Sequence, residues 1–262
     1  MTHPLANRYN AHGTAMEQTG GDNEAFVRSL FSSIAPRYDL LNSVMSLSRH
    51  RAWRRLAVRM AGVRPGDAAL DVCCGTGDFA FALARAAGPE GRVVGVDFSE
   101  PMLDIARAKA RRTGLERSEF VPGNALELPF DDGTFDCVTV GFGLRNVSDV
   151  SAAVAEMARV AKPGGRVVSL EIFGRKCGLM SLPWKLFARL IPKAAGALRT
   201  KRAAYEYLPW SVEEFISRED LAREFEDNGL ADVRRRDLML GTVCIHIGTR
   251  PIFLPANTAF SV

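Results

Sequence analysis

The sequence predicts an α/β protein: a seven-stranded, mostly parallel sheet with helices on both faces and a helical cap. Three observations lead there. Between Ala68 and Phe173, short apolar runs alternate with amphipathic stretches, the pattern of parallel strands joined by crossover helices. One junction, Ala68-Ala-Leu-Asp-Val-Cys-Cys-Gly-Thr-Gly-Asp78, passes from strand to glycine turn to helix. Finally, the segments 230–240 and 242–250, joined at Gly241, read as a closing antiparallel hairpin.

Composition bounds the rest. The 262 residues suit one domain, expected over 24–250, between a polar N-terminal segment, 1–23, read as disordered, and a tail, 251–262. Lys and Arg number 34 against 30 Asp and Glu, and a net charge of +4 does not call for nucleic acid. There is no apolar window of roughly 18 residues and no apolar signal core, so a cytoplasmic protein is expected. The five cysteines match no zinc spacing and read as reduced thiols, four of them within apolar runs; no metal site is expected.

In chain order, Phe26, Leu30, Phe31 and Ile34 form one helical face, which Pro36 interrupts. Helix resumes with Trp53, Leu56, Ala57 and Met60, giving a cap over 24–62. Tyr38, Asp39, Asn42, Arg49 and His50 crowd polar groups between these helices. Capping or surface salt bridging is expected of Arg49 and Arg51, whereas Tyr38, Asn42 and His50 are candidates for a site. Strands follow at 68–74, 92–98, 119–123, 135–142 and 166–173. Helices are expected at 79–87, 101–113 and 150–161, the last stopped by Lys162-Pro-Gly-Gly165. The insertion 176–217 contains an amphipathic basic stretch, with Leu182, Leu186, Phe187, Leu190 and Ile191 on one face and Lys185, Arg189 and Lys193 on another. It is read as a helix packed on the core, with a lid or membrane-surface contact as an added role. Ser211 and Ser217, each with an acid three residues on, read as helix N-caps.

In a doubly wound sheet, ligands collect at the carboxyl ends of the strands. Asp97, Asn124 and the run Gly141 to Asn146 fall at such ends and should meet Gly75-Thr76-Gly77 in one cleft. Asp97, about twenty residues after the glycine turn, is placed to accept the hydroxyls of a ribose. Ala80 stands where a dinucleotide fingerprint has its third glycine, and the Lys-Ser/Thr ending of a phosphate loop is absent. Asp78 at the helix start would repel a pyrophosphate. S-adenosylmethionine fits this turn, as an adenosine with a sulfonium and no phosphate. A ligand-free turn is the alternative, and it leaves Asp71 and Asp97 as carboxylates without a task.

The runs Phe31-Ser-Ser-Ile-Ala-Pro-Arg-Tyr-Asp-Leu-Leu-Asn42, His50-Arg-Ala-Trp53, Leu70 to Asp78, Phe142-Gly-Leu-Arg-Asn146 and Lys162 to Gly165 together resemble the ubiquinone/menaquinone biosynthesis C-methyltransferases. These are class I S-adenosylmethionine-dependent methyltransferases with a Rossmann-like sheet. The resemblance covers about residues 26 to 250. It implies methylation of a ring carbon on a prenylated quinol, most closely demethylmenaquinol to menaquinol. It also implies cofactor contacts at Thr76, Asp97, Asn124 and Ala125, beside Asp71, Gly75, Gly77 and Gly141. A family serine before Phe142-Gly-Leu-Arg-Asn146 is Gly141 here, and the family pattern is also lost at Leu182 to Ala195 and at Thr200-Lys201-Arg202.

A quinol carbon becomes nucleophilic as its neighbouring hydroxyl approaches phenolate, and a phenol of pKa ~10 needs help at neutral pH. Arg145 and Asn146 are expected at the developing charge, His50 as the base and Tyr38 as a hydrogen-bonding partner. Asn42, Phe142 and Tyr205 are expected to hold the acceptor. A peripheral contact with the inner face of the membrane and a homodimer complete the expected partners. The rival readings are a methyltransferase for another phenolic or lipid acceptor and a cofactor-binding homologue without quinone activity.

Overall fold

The computed structural model describes residues 20–174 and 202–252. Four elements form the cap: α1 (Gly20–Ile34), a 3-10 turn (Ala35–Arg37), α2 (Tyr38–Met45) and α3 (His50–Ala61). The sheet region follows as β1 (Ala68–Val72), α4 (Asp78–Ala87), β2 (Arg92–Asp97), α5 (Glu100–Thr113), β3 (Ser118–Pro122), β4 (Phe135–Gly141), a 3-10 turn (Leu144–Asn146), α6 (Val150–Val160) and β5 (Ala161–Ile172). The chain closes with α7 (Arg202–Glu214), α8 (Arg218–Asp227), β6 (Ala231–Leu238), a 3-10 turn (Met239–Gly241) and β7 (Val243–Thr249).

The seven strands order as β3-β2-β1-β4-β5-β7-β6. β1 runs parallel to both β2 and β4, and only β7 is antiparallel to its neighbours, β5 and β6. The strand order reverses between β1 and β4, which opens a crevice at their carboxyl ends. Buried apolar side chains form one cluster around Leu70, Val138, Met157 and Phe225, and another around Leu83, Leu103, Val168 and Ile245. The strands between are covered on both faces and therefore read as continuous apolar runs.

Some boundaries differ from expectation for local reasons. α1 begins at Gly20, inside the segment read as disordered. Lys162-Pro-Gly-Gly165 is not a turn ahead of the strand but a bulge within β5. Ala161 already pairs with Phe135, and the ladder resumes at Cys137 and Arg166. Ser217 caps α8 as expected, its hydroxyl accepting from the Asp220 amide. Ser211, however, lies inside α7 rather than at its start. The basic stretch 182–195 lies outside the described residues.

Candidate active site

The crevice between β1 and β4 is a hollow of about 790 Å³, part of it open to solvent. Gly75, Asp97, Asn124, Ala125, Gly141, Phe142, Asn146 and Tyr38 all border it, so eight residues singled out from sequence meet in one place. Its floor is the ends of three strands. Asp97, 6 % exposed, accepts the Gly75 amide on one carboxylate oxygen (2.8 Å) and the Ser99 amide on the other (2.9 Å). Burial raises its pKa, and those two amides counter the rise. With two lone pairs on each oxygen, the carboxylate keeps acceptor capacity for a diol beyond the Gly75, Ser99 and Phe98 amides. Asn124 closes its own turn by accepting the Leu126 amide (3.0 Å).

Small residues keep the crevice open. A Cβ on Gly143 would stand 2.6 Å from that of Cys73, and one on Gly141 would stand 2.8 Å from the Phe79 ring. The space that a side chain at position 141 would need is thus taken up by Phe79. Two side-chain-bearing residues bordering the hollow, Cys73 (φ 53°) and Phe142 (φ 62°), hold left-handed backbone at the ends of β1 and β4. Such conformations cluster at functional sites.

The cap supplies the opposite wall. Tyr38, at the start of α2, stands over Gly75 and packs edge-on against Phe31. Burial pushes its phenol up, opposed by the hydrogen bond with Asn42 and by the Arg145 and Arg54 guanidiniums. Asn146 donates to the Phe142 carbonyl (3.2 Å) and accepts from the Tyr207 hydroxyl (3.1 Å), which ties α7 to the site. Asn42 does not border the hollow; its side chain instead hydrogen-bonds the Tyr38 phenol. Tyr205 lies on α7, but its side chain lies outside the described residues.

Five expected roles need correction. Asp71 is fully buried, accepts from the Ala80 amide and the Thr139 hydroxyl (both 3.0 Å), and pins the start of α4 rather than facing a ligand. Burial raises its pKa to about 7. The Thr76 hydroxyl points away from the hollow, donating to Asp39 (2.5 Å) and lying 3.2 Å from Lys109. Gly77 is the N-cap of α4 against Phe81 and Phe120, and also does not border the hollow. His50 is 2 % exposed and lies outside the hollow, its Nδ1 accepting from Arg54 (2.5 Å). Burial first, then the Arg54 charge, lowers its pKa to about 4, so it is a poor base at neutral pH. Arg145 sits behind the wall, 6 % exposed at its side chain and paired with the fully buried Glu171 (3.1 Å), which also accepts the Leu144 amide (2.8 Å). Its charge reaches the site by lowering the pKa of Tyr38 and Tyr207 against the effect of burial.

The repulsion expected from Asp78 is also modified. Burial works against its charge, but Arg54 and Lys109 outweigh that and hold its carboxyl below the usual range. Lys109 donates to Asp78 (2.7 Å) and to Asp39 on α2 (2.9 Å), clamping the cap to the glycine turn.

Sequence reasoning passed over Glu24, Arg28, Phe98 and Met102, which also border the hollow. The i, i+4 spacing of Glu24 and Arg28 on the polar side of α1 was a usable signal. Glu171 was legible too, as a lone acid in an apolar strand that needed a buried cation.

With this geometry in view, comparison with known proteins decides the family. The model of the ubiE/COQ5 methyltransferase family matches residues 18–250. The chain belongs to that family. It is accordingly a methyltransferase with S-adenosylmethionine as methyl donor. A demethylmenaquinone methyltransferase from Bacillus cytotoxicus is 43% identical over 229 residues, 87% of this chain and 97% of the relative. One from Bacillus cereus is 43% identical over 234 residues, with the same coverage of both chains. Among solved structures, a SAM-dependent methyltransferase from Thermotoga maritima superposes with a TM-score of 0.62 at 18% identity, over 86% of this chain and 99% of its own. At that identity the likeness shows the fold alone.

Proposed function

We propose that this family member methylates a ring carbon of a prenylated quinol, converting demethylmenaquinol to menaquinol. The single observation that carries this reading is the convergence on one hollow of a diol acceptor, Asp97, with a donor wall of Tyr38 and Asn146. The names of the 43% identical relatives favour the naphthoquinol.

Bound S-adenosylmethionine supplies a methyl group on a sulfonium, open to displacement by an electron-rich carbon. The chain's residues do the rest. Asp97 would hold the ribose hydroxyls, Asn124 and Ala125 would flank the adenine, and Gly75, Gly141 and Gly143 would leave room for the amino-acid arm. Tyr38, its phenol pushed up and hence protonated at neutral pH, donates to the quinol oxygen together with Asn146. Arg145 acts through Tyr38 as a positioning charge rather than by contact. With His50 outside the hollow, Glu24 or water beside it takes the proton. A wall that fixes the acceptor ring beside the donor would contribute through proximity, an effect that reaches about 7–11 kcal/mol of barrier in well-oriented systems. The prenyl tail lies toward the membrane surface.

Labelled S-adenosylmethionine and demethylmenaquinol, incubated with the purified chain, should yield a C-methylated ring by mass spectrometry. Tyr38→Phe should lower kcat about 10- to 100-fold with little change in cofactor affinity. Transfer only to other phenolic or lipid acceptors, or cofactor binding without transfer, would overturn the reading.

A further inference from the structure

Among the described residues, six large apolar side chains are exposed: Leu40, Val44, Leu47, Met239, Leu240 and Ile252. Five of them belong to two neighbouring segments. Leu40, Val44 and Leu47 recur at helical spacing along α2 and the turn after it, on the side away from Tyr38 and the hollow. Met239 and Leu240 make the turn between β6 and β7, beside the carboxyl end of β5, where Val243 pairs with both Ile172 and Leu238. The Arg49 guanidinium contacts the Met239 sulfur at 3.6 Å and joins the two segments. The patch therefore lies at the end of the sheet where the hollow opens.

Both turns are strained in the same way. Leu47 (φ 49°), Ser48 (φ 60°), Met239 (φ 49°) and Leu240 (φ 57°) hold left-handed backbone. The leucines are 80 % and 73 % exposed at these tips instead of tucking inward. Strained backbone that presents apolar side chains to water marks a surface used in binding.

The chemistry around the patch is cationic. Arg49 and Arg51 are exposed and have no carboxylate partner among the described residues. Further along α3, Arg55 and Arg59 border a groove with Arg85 and Arg112, where the one acid, Asp78, is held by Lys109. A second copy docked two-fold on this patch would set cations against cations. A bilayer interface supplies what both groups need, hydrocarbon for the leucines and anionic phosphates for the arginines.

We propose that this end of the molecule docks on an anionic lipid surface. Leu47 and Leu240 enter the headgroup layer, Arg49 and Arg51 meet lipid phosphates, and the α3 groove adds longer-range attraction. The proposal rests on the reading of the acceptor as a prenylated quinol, whose apolar tail stays in the bilayer while the ring is drawn up beneath α2.

Co-sedimentation of the full chain with vesicles tests it. Wild type should bind equimolar phosphatidylcholine and phosphatidylglycerol at least about tenfold more tightly than phosphatidylcholine alone, and salt should weaken that binding. Leu47→Ser with Leu240→Ser should lower binding about tenfold or more without shifting the melting temperature. Arg49→Gln with Arg51→Gln should cut the preference for anionic vesicles several-fold, the remainder being the salt-sensitive share of the α3 groove. The serine pair should keep the wild-type rate on a short-tailed, water-soluble quinol and lose rate on a long-tailed quinol embedded in vesicles. Wild type that ignores vesicles, variants that sediment like wild type, or a serine pair that changes solution mass instead would overturn the docking surface. Lipid binding that the variants lose, without methylation of either quinol by wild type, would support docking and overturn the acceptor reading.

Discussion

Arg145 shows how a side chain can be necessary to a site without facing it. Its guanidinium pairs with Glu171, which has no exposed surface, and its buried Nε has no partner. Truncation to Ala leaves a buried carboxylate alone, which typically costs about 3–5 kcal/mol, so lost turnover in that variant would say little about chemistry. Arg145→Met with Glu171→Gln is the informative pair, since the carboxamide oxygen placed at position 171 still accepts the Leu144 amide. Urea unfolding should show most of the stability restored while kcat stays low, because Tyr38 has lost the neighbouring charge. Recovery of kcat along with stability would reduce Arg145 to a structural role. Gly141 makes the complementary point about space. Gly141→Ser should destabilise by about 1–3 kcal/mol through overlap with Phe79, and Phe79→Leu should relieve most of that in a double-mutant cycle. Additive effects would mean that Phe79 does not fill the serine's place. Neither relation could be read from sequence, because Phe79 and Gly141, like Arg145 and Glu171, come from different strand–helix units.

At the scale of elements, periodicity was a good guide wherever burial decides the pattern. β1, β2, β4 and the closing hairpin stand close to where apolar runs placed them, and Asp149 and Ser217 cap their helices by local chemistry. The failures have local causes: glycines at 164 and 165 permit a bulge where a turn was expected, and Ser211 is carried inside α7 by tertiary packing. The attachment of the cap was not legible at all. Lys109 on α5 bonds Asp39 on α2, Thr76 in the glycine turn and Asp78 on α4, three elements brought together only by folding. Lys109→Met should cost about 1–3 kcal/mol, since the cluster is partly screened by solvent. Limited proteolysis should then cut around residues 38–49 faster. Unchanged cutting would show that α2 is held by its apolar contacts alone.

For the whole molecule, two buried imidazoles couple folding to pH. His50 and His246 each have a pKa lowered to about 4 from 6.5; burial leads in both, with the Arg54 charge next at His50. Their folded pKa values lie below the unfolded one, so the unfolded chain takes up protons first as pH falls. The stability they contribute is complete above pH 6.5 and lost as pH falls toward 4. At pH 5 the loss is about 2 kcal/mol for each imidazole. His246→Gln keeps a donor for the Arg218 carbonyl but cannot titrate. Urea midpoints at pH 7 and pH 5 should therefore differ less in this variant than in wild type, by about one imidazole's share. Asp71, raised to about 7, works in the opposite sense, and the comparison with the variant cancels its contribution. Equal pH dependence in the two proteins would place the acid sensitivity elsewhere.

By itself the sequence determined the alternation of strands and helices, the glycine turn with Asp97 at the next strand end, and the family motifs. Each of these is local, set by side-chain period, backbone freedom or spacing along the chain. Tertiary structure alone decided which polar groups face the hollow. It turned Thr76 and Asp71 inward to hold the turn, withdrew His50 behind Arg54, and set Arg145 against Glu171. The physical reason is that a buried polar group must find a partner, and that partner is supplied by whichever element the fold brings alongside.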